Sequence, residues 1–198
     1  GGIVAGLMSH GIGLPPIAVG LMTLVLPLGD ALAIMTIPTL TTNIWQAIYG
    51  TGLKRMAKRF WSLAVAAMVT VLIVAATLGQ LGSPDATAWL GILLIAYSIL
   101  ALVAWRPQVP LNAERWANPL AGVATGFVTG ITGIAAIPFL PYMQSLEIQK
   151  DDLVQALGIL FIAITAALTV ALARQGAFDA ANLIGGFAAV VPTSIGVW

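Results

Sequence analysis

The chain has 198 residues, 60% of them hydrophobic and only 8% charged, with a mean hydropathy of +1.01. A soluble domain carries about a quarter charged residues, so this composition belongs to an integral membrane protein. A net charge of +1 offers no footprint for a nucleic-acid partner, and zero cysteines exclude disulfides, thiolate metal sites and cysteine redox chemistry.

Charge-free runs at 1–29, 31–53, 60–84, 86–105, 116–146, 153–173 and 180–198 reach or approach the roughly 20 residues that a helix needs to cross a bilayer. They are rich in Gly and Ala, which favours close-packed helices over the alternating strands of a barrel. The expected fold is all-α: a polytopic bundle of about seven hydrophobic segments.

The first segment carries a glycine ladder, Gly2, Gly6 and Gly13, that returns in the fifth as Gly122, Gly126 and Gly133, an offset of 120 residues. Ser9 and Thr129 keep the same register. Each ladder runs into prolines, Pro15 and Pro16 in one copy and Pro138 in the other. Two internal repeats follow, each opening with a broken or re-entrant Gly-rich helix. In hydrocarbon such a break survives only where protein or a polar cavity surrounds it, and paired breaks point to a transporter's binding site.

After the first break, Thr39, Asn43 and Gln46 fall at i, i+4 and i+7, so one helical face carries a hydroxyl and two amides. In the second copy Gln155, Ile162, Thr165 and Thr169 trace a sparser face. Interhelical hydrogen bonding is the simpler use for the threonines, whereas two amides one turn apart are costly to bury without a purpose. Asp30 and Asp152 suit N-caps. Pro38, Pro138 and Pro141 suit kinks or helix ends, and Trp45, Trp61, Trp89, Trp105 and Trp116 an interfacial belt.

Lys54, Arg55, Lys58 and Arg59 fix the second connection as cytoplasmic by the positive-inside rule. The Ser83-Pro84-Asp85 turn then lies outside and Arg106 to Arg115 inside. If 116–146 crosses fully, only Lys150 is misplaced, and if it is a re-entrant hairpin, only Arg174 is. Charge leaves parallel and inverted repeats open, while the cramped length for a hairpin favours broken full spans. Residues 1–105 form the first repeat of four segments, 106–117 a cytoplasmic linker, and 118–198 a second repeat of three. The chain starts without Met and stops within an apolar run, so it is expected to be a fragment lacking the last helix. It shows no secretory leader.

The strings AGLMSHGIGLPPIAVGLM, LGDALAIMTIPTLTTNIWQAI and GFVTGITGIAAIPFLPYMQSLEIQKDDLVQALGILF resemble the two repeats of the TauE/SafE family of sulfite exporters. The likeness covers nearly all of the chain and is strongest around Gly6 to Gln46 and Gly122 to Phe161. It implies a multi-pass transporter of the bacterial inner membrane, built by duplication, that moves sulfite, organosulfonates or related small sulfur-containing anions. The sequence departs from the family's run of consecutive glycines at Gly11-Ile-Gly13-Leu and Gly133-Ile-Ala-Ala, and His10 stands where the second copy has Gly130.

The residues support anion handling on physical grounds. Where a helix breaks, N–H groups lose their acceptors and a positive dipole end faces the gap, while glycine lets a ligand approach the backbone. The apolar segments hold no Lys or Arg at depth, so binding would rest on N–H groups, hydroxyls and amides. The candidate substrate-binding residues are Ser9, His10, Gly11, Gly13, Asn43, Gln46, Thr129, Thr132 and Gly133. His10 is the sole histidine and reads either as a proton-coupling imidazole or as a neutral partner of a freed carbonyl. No cofactor or metal is expected, and a homo-oligomer is compatible with the chain. An enzyme is rejected: adjacent Ser9 and His10 cannot share a helix face, and no His-Glu-x-x-His pattern exists. The rivals are a carrier of another small anion such as a carboxylate and a non-transporting membrane assembly subunit.

Overall fold

A computed structural model describes residues 19–77, 88, 91–92, 95 and 109–197, apart from the side chains of 136–138, 181 and 191–197. Every regular element among the described residues is helical: α1 Leu28–Ile48, α2 Leu53–Thr77, α3 Glu114–Thr132, α4 Ala136–Gln144, α5 Lys150–Arg174 and α6 Ala180–Val197. Ser9, His10, Gly11 and Gly13 lie outside the described residues. The expected linker 106–117 is already helical from Glu114.

Two helices, α2 and α5, are long and apolar enough to cross a membrane by length and composition. In α2, Met56, Phe60, Leu63, Ala67, Val71 and Val74 are buried, while Trp61, Val65, Val69 and Ile73 are exposed on the other face. A helix apolar on both faces meets core on one side and suits lipid on the other. The exposed face of α3 continues the pattern with Trp116, Leu120, Val123 and Phe127. Length is not what separates the 21-residue α1 from α2 and α5. Its four threonines, Asn43 and Gln46 lower its hydropathy.

Helix α3 runs parallel to α2 at backbone distance. A Cβ at Gly122 would lie 2.5 Å from the Leu63 carbonyl, one at Gly126 would lie 2.5 Å from the Ala67 carbonyl, and one at Gly130 would meet Val74 at 2.7 Å. Glycines at i, i+4 and i+8 therefore form the groove that receives α2. At the base, Arg59 donates to Glu114 at 2.5 and 2.9 Å, and Asn118 Nδ2 donates to the Arg59 carbonyl at 3.1 Å.

Helix α3 stops at Thr132 because Gly133 adopts φ 75°, and its N–H closes on the Thr129 carbonyl. After Ile134 and Ala135 the chain resumes as α4 and turns back along α3. Tyr142 Oη donates to Asn118 Oδ1 at 2.6 Å, and Val109 N–H donates to the Ser145 carbonyl at 3.0 Å. Residues 116–146 thus form a helical hairpin whose two ends lie at the same end of the bundle, in place of the full crossing that their length favoured. Pro38 and Pro141 sit inside α1 and α4 and end neither helix.

Helix α5 starts beside α2, where Arg55 reaches both carboxylate oxygens of Asp152 at 2.5 and 2.6 Å. Farther along, Ala67 and Val71 pack with Ile164 and Ala167. Helix α1 runs antiparallel to α5: Gln155 Nε2 donates to the Ala47 carbonyl at 2.8 Å, and Gly158 abuts Asn43 and Ala47. Helix α6 lies parallel to α1, with Asn182 Nδ2 donating to Asp30 Oδ1 at 3.0 Å and Gly186 against Ile34 and Ile37. Asp30 and Asp152 are therefore not N-caps, a position held by Pro27 and Gln149 without side-chain bonds. Each lies in the first turn, where a carboxylate still complements the helix dipole, and ties its helix to a neighbour.

Lys54, Arg55, Lys58, Arg59, Arg115 and Lys150 consequently gather at one end and Arg174 at the other, the distribution that a hairpin at 116–146 requires. Exposed Trp45, Trp61 and Trp116 lie toward the same basic end, as an interfacial belt would.

Two outcomes follow. Since the chain has no native cysteine, single cysteines at Arg115, Lys150 and Arg174 can be labelled in sealed vesicles with an impermeant maleimide. The first two should react from one side and the third from the other. Gly126→Leu should cost about 1–3 kcal/mol through overpacking on Ala67, measured as a lowered midpoint of thermal unfolding in detergent. Gly20→Ala, with nothing within 4 Å, should leave the midpoint in place.

Candidate functional site

A cavity of about 90 Å³ lies between α1, α5, the end of α3 and the tip of the hairpin. That is room for several waters or one small anion. It is elongated along α1. One end is formed by Leu32 with Gly133, Ile134 and Ala135, and the other by Asn43 and Gln46. The 11 helical steps from Leu32 to Asn43 span roughly 16 Å.

The turn at Gly133 places the tip. A Cβ at Gly133 would fall on the Leu32 side chain, and the positive φ is itself unfavourable for other residues, so both space and backbone demand glycine. Thr132 is fully buried and holds the turn: its Oγ1 donates to the Val128 carbonyl at 2.8 Å and accepts from Ile134 N–H at 3.2 Å. It does not line the cavity. Thr129 does, with Oγ1 donating to the Thr125 carbonyl at 2.7 Å. The tip lies beside Ile164 and Thr165, near the middle of α5.

Helix α1 supplies the polar wall. Thr39, Asn43 and Gln46 all line the cavity, and the stripe extends one turn farther to Thr36. Thr36 and Thr42 donate to the Leu32 and Thr39 carbonyls within their own helix, at 2.9 and 3.0 Å. Asn43 is only 5% exposed, yet its Nδ2 makes no hydrogen bond. The wall on α5 is largely apolar, formed by Phe161, Ile164 and Leu168.

The structure thus brings together Asn43, Gln46, Thr129 and Gly133 around one space and assigns Thr132 to the turn behind it. The sparser stripe on α5 divides. Thr165 lines the cavity, Thr169 donates to the Thr165 carbonyl at 2.7 Å, and Gln155 is spent on Ala47. The threonine hydroxyls expected to join helices mostly bond carbonyls of their own helix three or four residues back. Thr36 was readable in advance, because it continues the α1 stripe by one turn. The apolar wall carried no comparable signal.

A family profile described as Sulfite exporter TauE/SafE matches residues 1–198. No curated protein and no solved structure gives a match.

The two amides make opposite demands on stability. Gln155→Leu strands the Ala47 carbonyl at the end of α1 and should cost about 1–3 kcal/mol. Asn43→Leu removes a donor that has no partner and should leave the unfolding midpoint unchanged or raise it. Thermal unfolding of the two purified variants compares them directly.

Proposed function

The chain belongs to the TauE/SafE family of sulfite exporters, a family of integral membrane transporters rather than enzymes. On that premise we propose that a small sulfur-containing anion, sulfite or a short organosulfonate, passes through the cavity between α1, α5 and the hairpin tip. One observation carries the reading: the Asn43 amide is buried, lines the cavity and has a donor without a partner. An unpaired buried donor costs about 1–3 kcal/mol, a penalty that a ligand relieves. Water meets Asn43 when the cavity is empty and the anion replaces it when loaded. Gln46 continues the polar wall beside Asn43, while Thr129 and Gly133, whose own donors are spent on the Thr125 and Thr129 carbonyls, bound this half of the site. The apolar wall of Phe161 and Leu168 suits the alkyl part of a sulfonate.

Ser9, His10, Gly11 and Gly13 supply the facing half-site in this reading, from a first repeat over 1–105 that the 106–117 linker joins to a second over 118–198. The repeats are inverted. Support comes from α1 and α5, which run antiparallel and each carry a first-turn aspartate, Asp30 and Asp152, bonded to the third residue of a parallel neighbour, Asn182 of α6 and Arg55 of α2. An exchange of α1 with α5 and of α6 with α2 relates the two ties. The basic end faces the cytoplasm, in the inner membrane of a bacterium.

Flux in proteoliposomes tests the proposal, with sulfite, methanesulfonate, sulfoacetate and acetate as substrates. Sulfite and the sulfonates should move, and Asn43→Leu should lower their flux about tenfold, the loss of one hydrogen bond to an anion. Flux of acetate alone would transfer the reading to a carboxylate carrier. No flux from protein with an intact unfolding transition would leave the non-transporting subunit.

A further inference from the structure

We infer that Phe161 limits the length of the organic group that the cavity accepts, so that sulfite and sulfonates with a short alkyl group are substrates and butanesulfonate is not. The inference rests on the transport reading above and narrows its substrate class.

The antiparallel packing of α1 on α5 fixes where the ring stands. Gly158 abuts the backbone at Asn43 and Ala47, and Gln155, one turn earlier on α5, closes the Ala47 carbonyl. The Gln155 side chain also fills the space beside Gly50, 3.2 Å from where a Cβ there would stand. From Asn43 the cavity runs the other way, toward Leu32. Phe161 is the first lining residue of α5 in that direction, three helical steps or about 4.5 Å past Gly158. A helical side chain lies over the turn before its own Cα, which brings the ring nearer still to the level of Asn43. A head group held on the Asn43 amide therefore has about one turn of helix, roughly 5 Å, before its tail meets the ring.

Two effects compete as the tail lengthens. Each methylene that the apolar wall covers favours binding by about fourfold, whereas one methylene too many in an apolar pocket costs about tenfold or more. Which effect wins depends on whether the ring can yield. Phe161 meets Phe139 edge to face, with centroids 5.1 Å apart and planes at 74°. Phe139 is fully buried on α4, in one core with Leu140 and Met143, and the bond from Tyr142 to Asn118 holds α4 against α3. The returning arm of the hairpin thus backs the ring, and in a close-packed interior a tail that reaches it meets a wall. Ile164 and Leu168, farther along α5, line the space into which a smaller residue at 161 would let the tail extend.

The experiment measures flux of methane-, ethane-, propane- and butanesulfonate through the purified chain in proteoliposomes, with sulfite as the tailless reference. The four sulfonates share one head group and one charge, so only the tail varies. In the native chain methane- and ethanesulfonate should move at similar rates and butanesulfonate at least about tenfold more slowly. Phe161→Ala should bring butanesulfonate to within about threefold of methanesulfonate, while Phe161→Trp should slow ethanesulfonate about tenfold as well. Phe161→Leu, a smaller loss of volume, should shift the ratio as Phe161→Ala does and replaces it if that variant lacks an unfolding transition. Asn43→Leu acts on the shared head group and should lower all four sulfonates alike.

Butanesulfonate flux equal to that of methanesulfonate in the native chain would overturn the inference and leave the transporter standing. Sulfite moving without methanesulfonate would set the limit before the first carbon and overturn it equally. A native limit that stays in place in the Phe161 variants would belong to another wall, and the assignment to Phe161 would fall. If none of the five anions moves while the unfolding transition is intact, the transport reading itself fails.

Discussion

The contact between α2 and α3 sets the rest of the bundle. Three glycines spaced by one turn bring α3 onto α2, against backbone carbonyls at Gly122 and Gly126 and against the Val74 side chain at Gly130. Packing at that distance gains dispersion over the whole seam, and it does so where lipid tails leave no hydrophobic drive between helices. It also fixes how far α3 penetrates. The seam ends at Gly130 and the left-handed turn follows at Gly133, so the hairpin tip stops beside the middle of α5. Asn118 then serves both sides of the construction, donating to the Arg59 carbonyl and accepting from Tyr142 on the returning helix.

The two ion pairs at the basic end do different work. Arg55 is 66% exposed, so its pair with Asp152 is screened and contributes little, within about 0–1 kcal/mol. Arg59 and Glu114 are 24% and 8% exposed, and the carboxylate receives a two-pronged guanidinium at the first residue of α3. There the pair fixes register, because either partner left alone would be a charge held largely out of water. The hairpin is thus anchored at its base, whereas the start of α5 is tied more loosely.

What the sequence made legible follows from locality. Helicity, membrane class and the polar stripe at Thr39, Asn43 and Gln46 depend on composition and on spacing within one helix, and both survive any arrangement of neighbours. The hairpin at 116–146 was not legible. Turning the chain back merely exchanged Lys150 for Arg174 as the misplaced charge, and the length argument ignored that α4 has only nine residues and need not reach the far side. What decides is contact across many residues, Tyr142 with Asn118 and Val109 with Ser145. Asp30 and Asp152 failed for the same reason: capping is a local preference, and a partner on another helix outweighed it. At Thr132 the residue type was right for a break, but its hydroxyl closes the turn instead of facing the cavity.

The polar stripe also determines how α1 can exist in a membrane. Helices α2 and α5 are apolar enough to stand in lipid before they meet anything. Helix α1 carries Thr36, Asn43 and Gln46 buried against its neighbours, and an amide facing hydrocarbon without a partner costs several kcal/mol. Its stable position is therefore conditional on α5, whose Gln155 closes the Ala47 carbonyl and whose Gly158 admits the backbone at Asn43. That dependence explains why the cavity lies on this seam. The helix least suited to lipid is the one whose Asn43 has a donor to spare, and the polar stripe that keeps α1 out of hydrocarbon faces a cavity where a polar ligand can meet it.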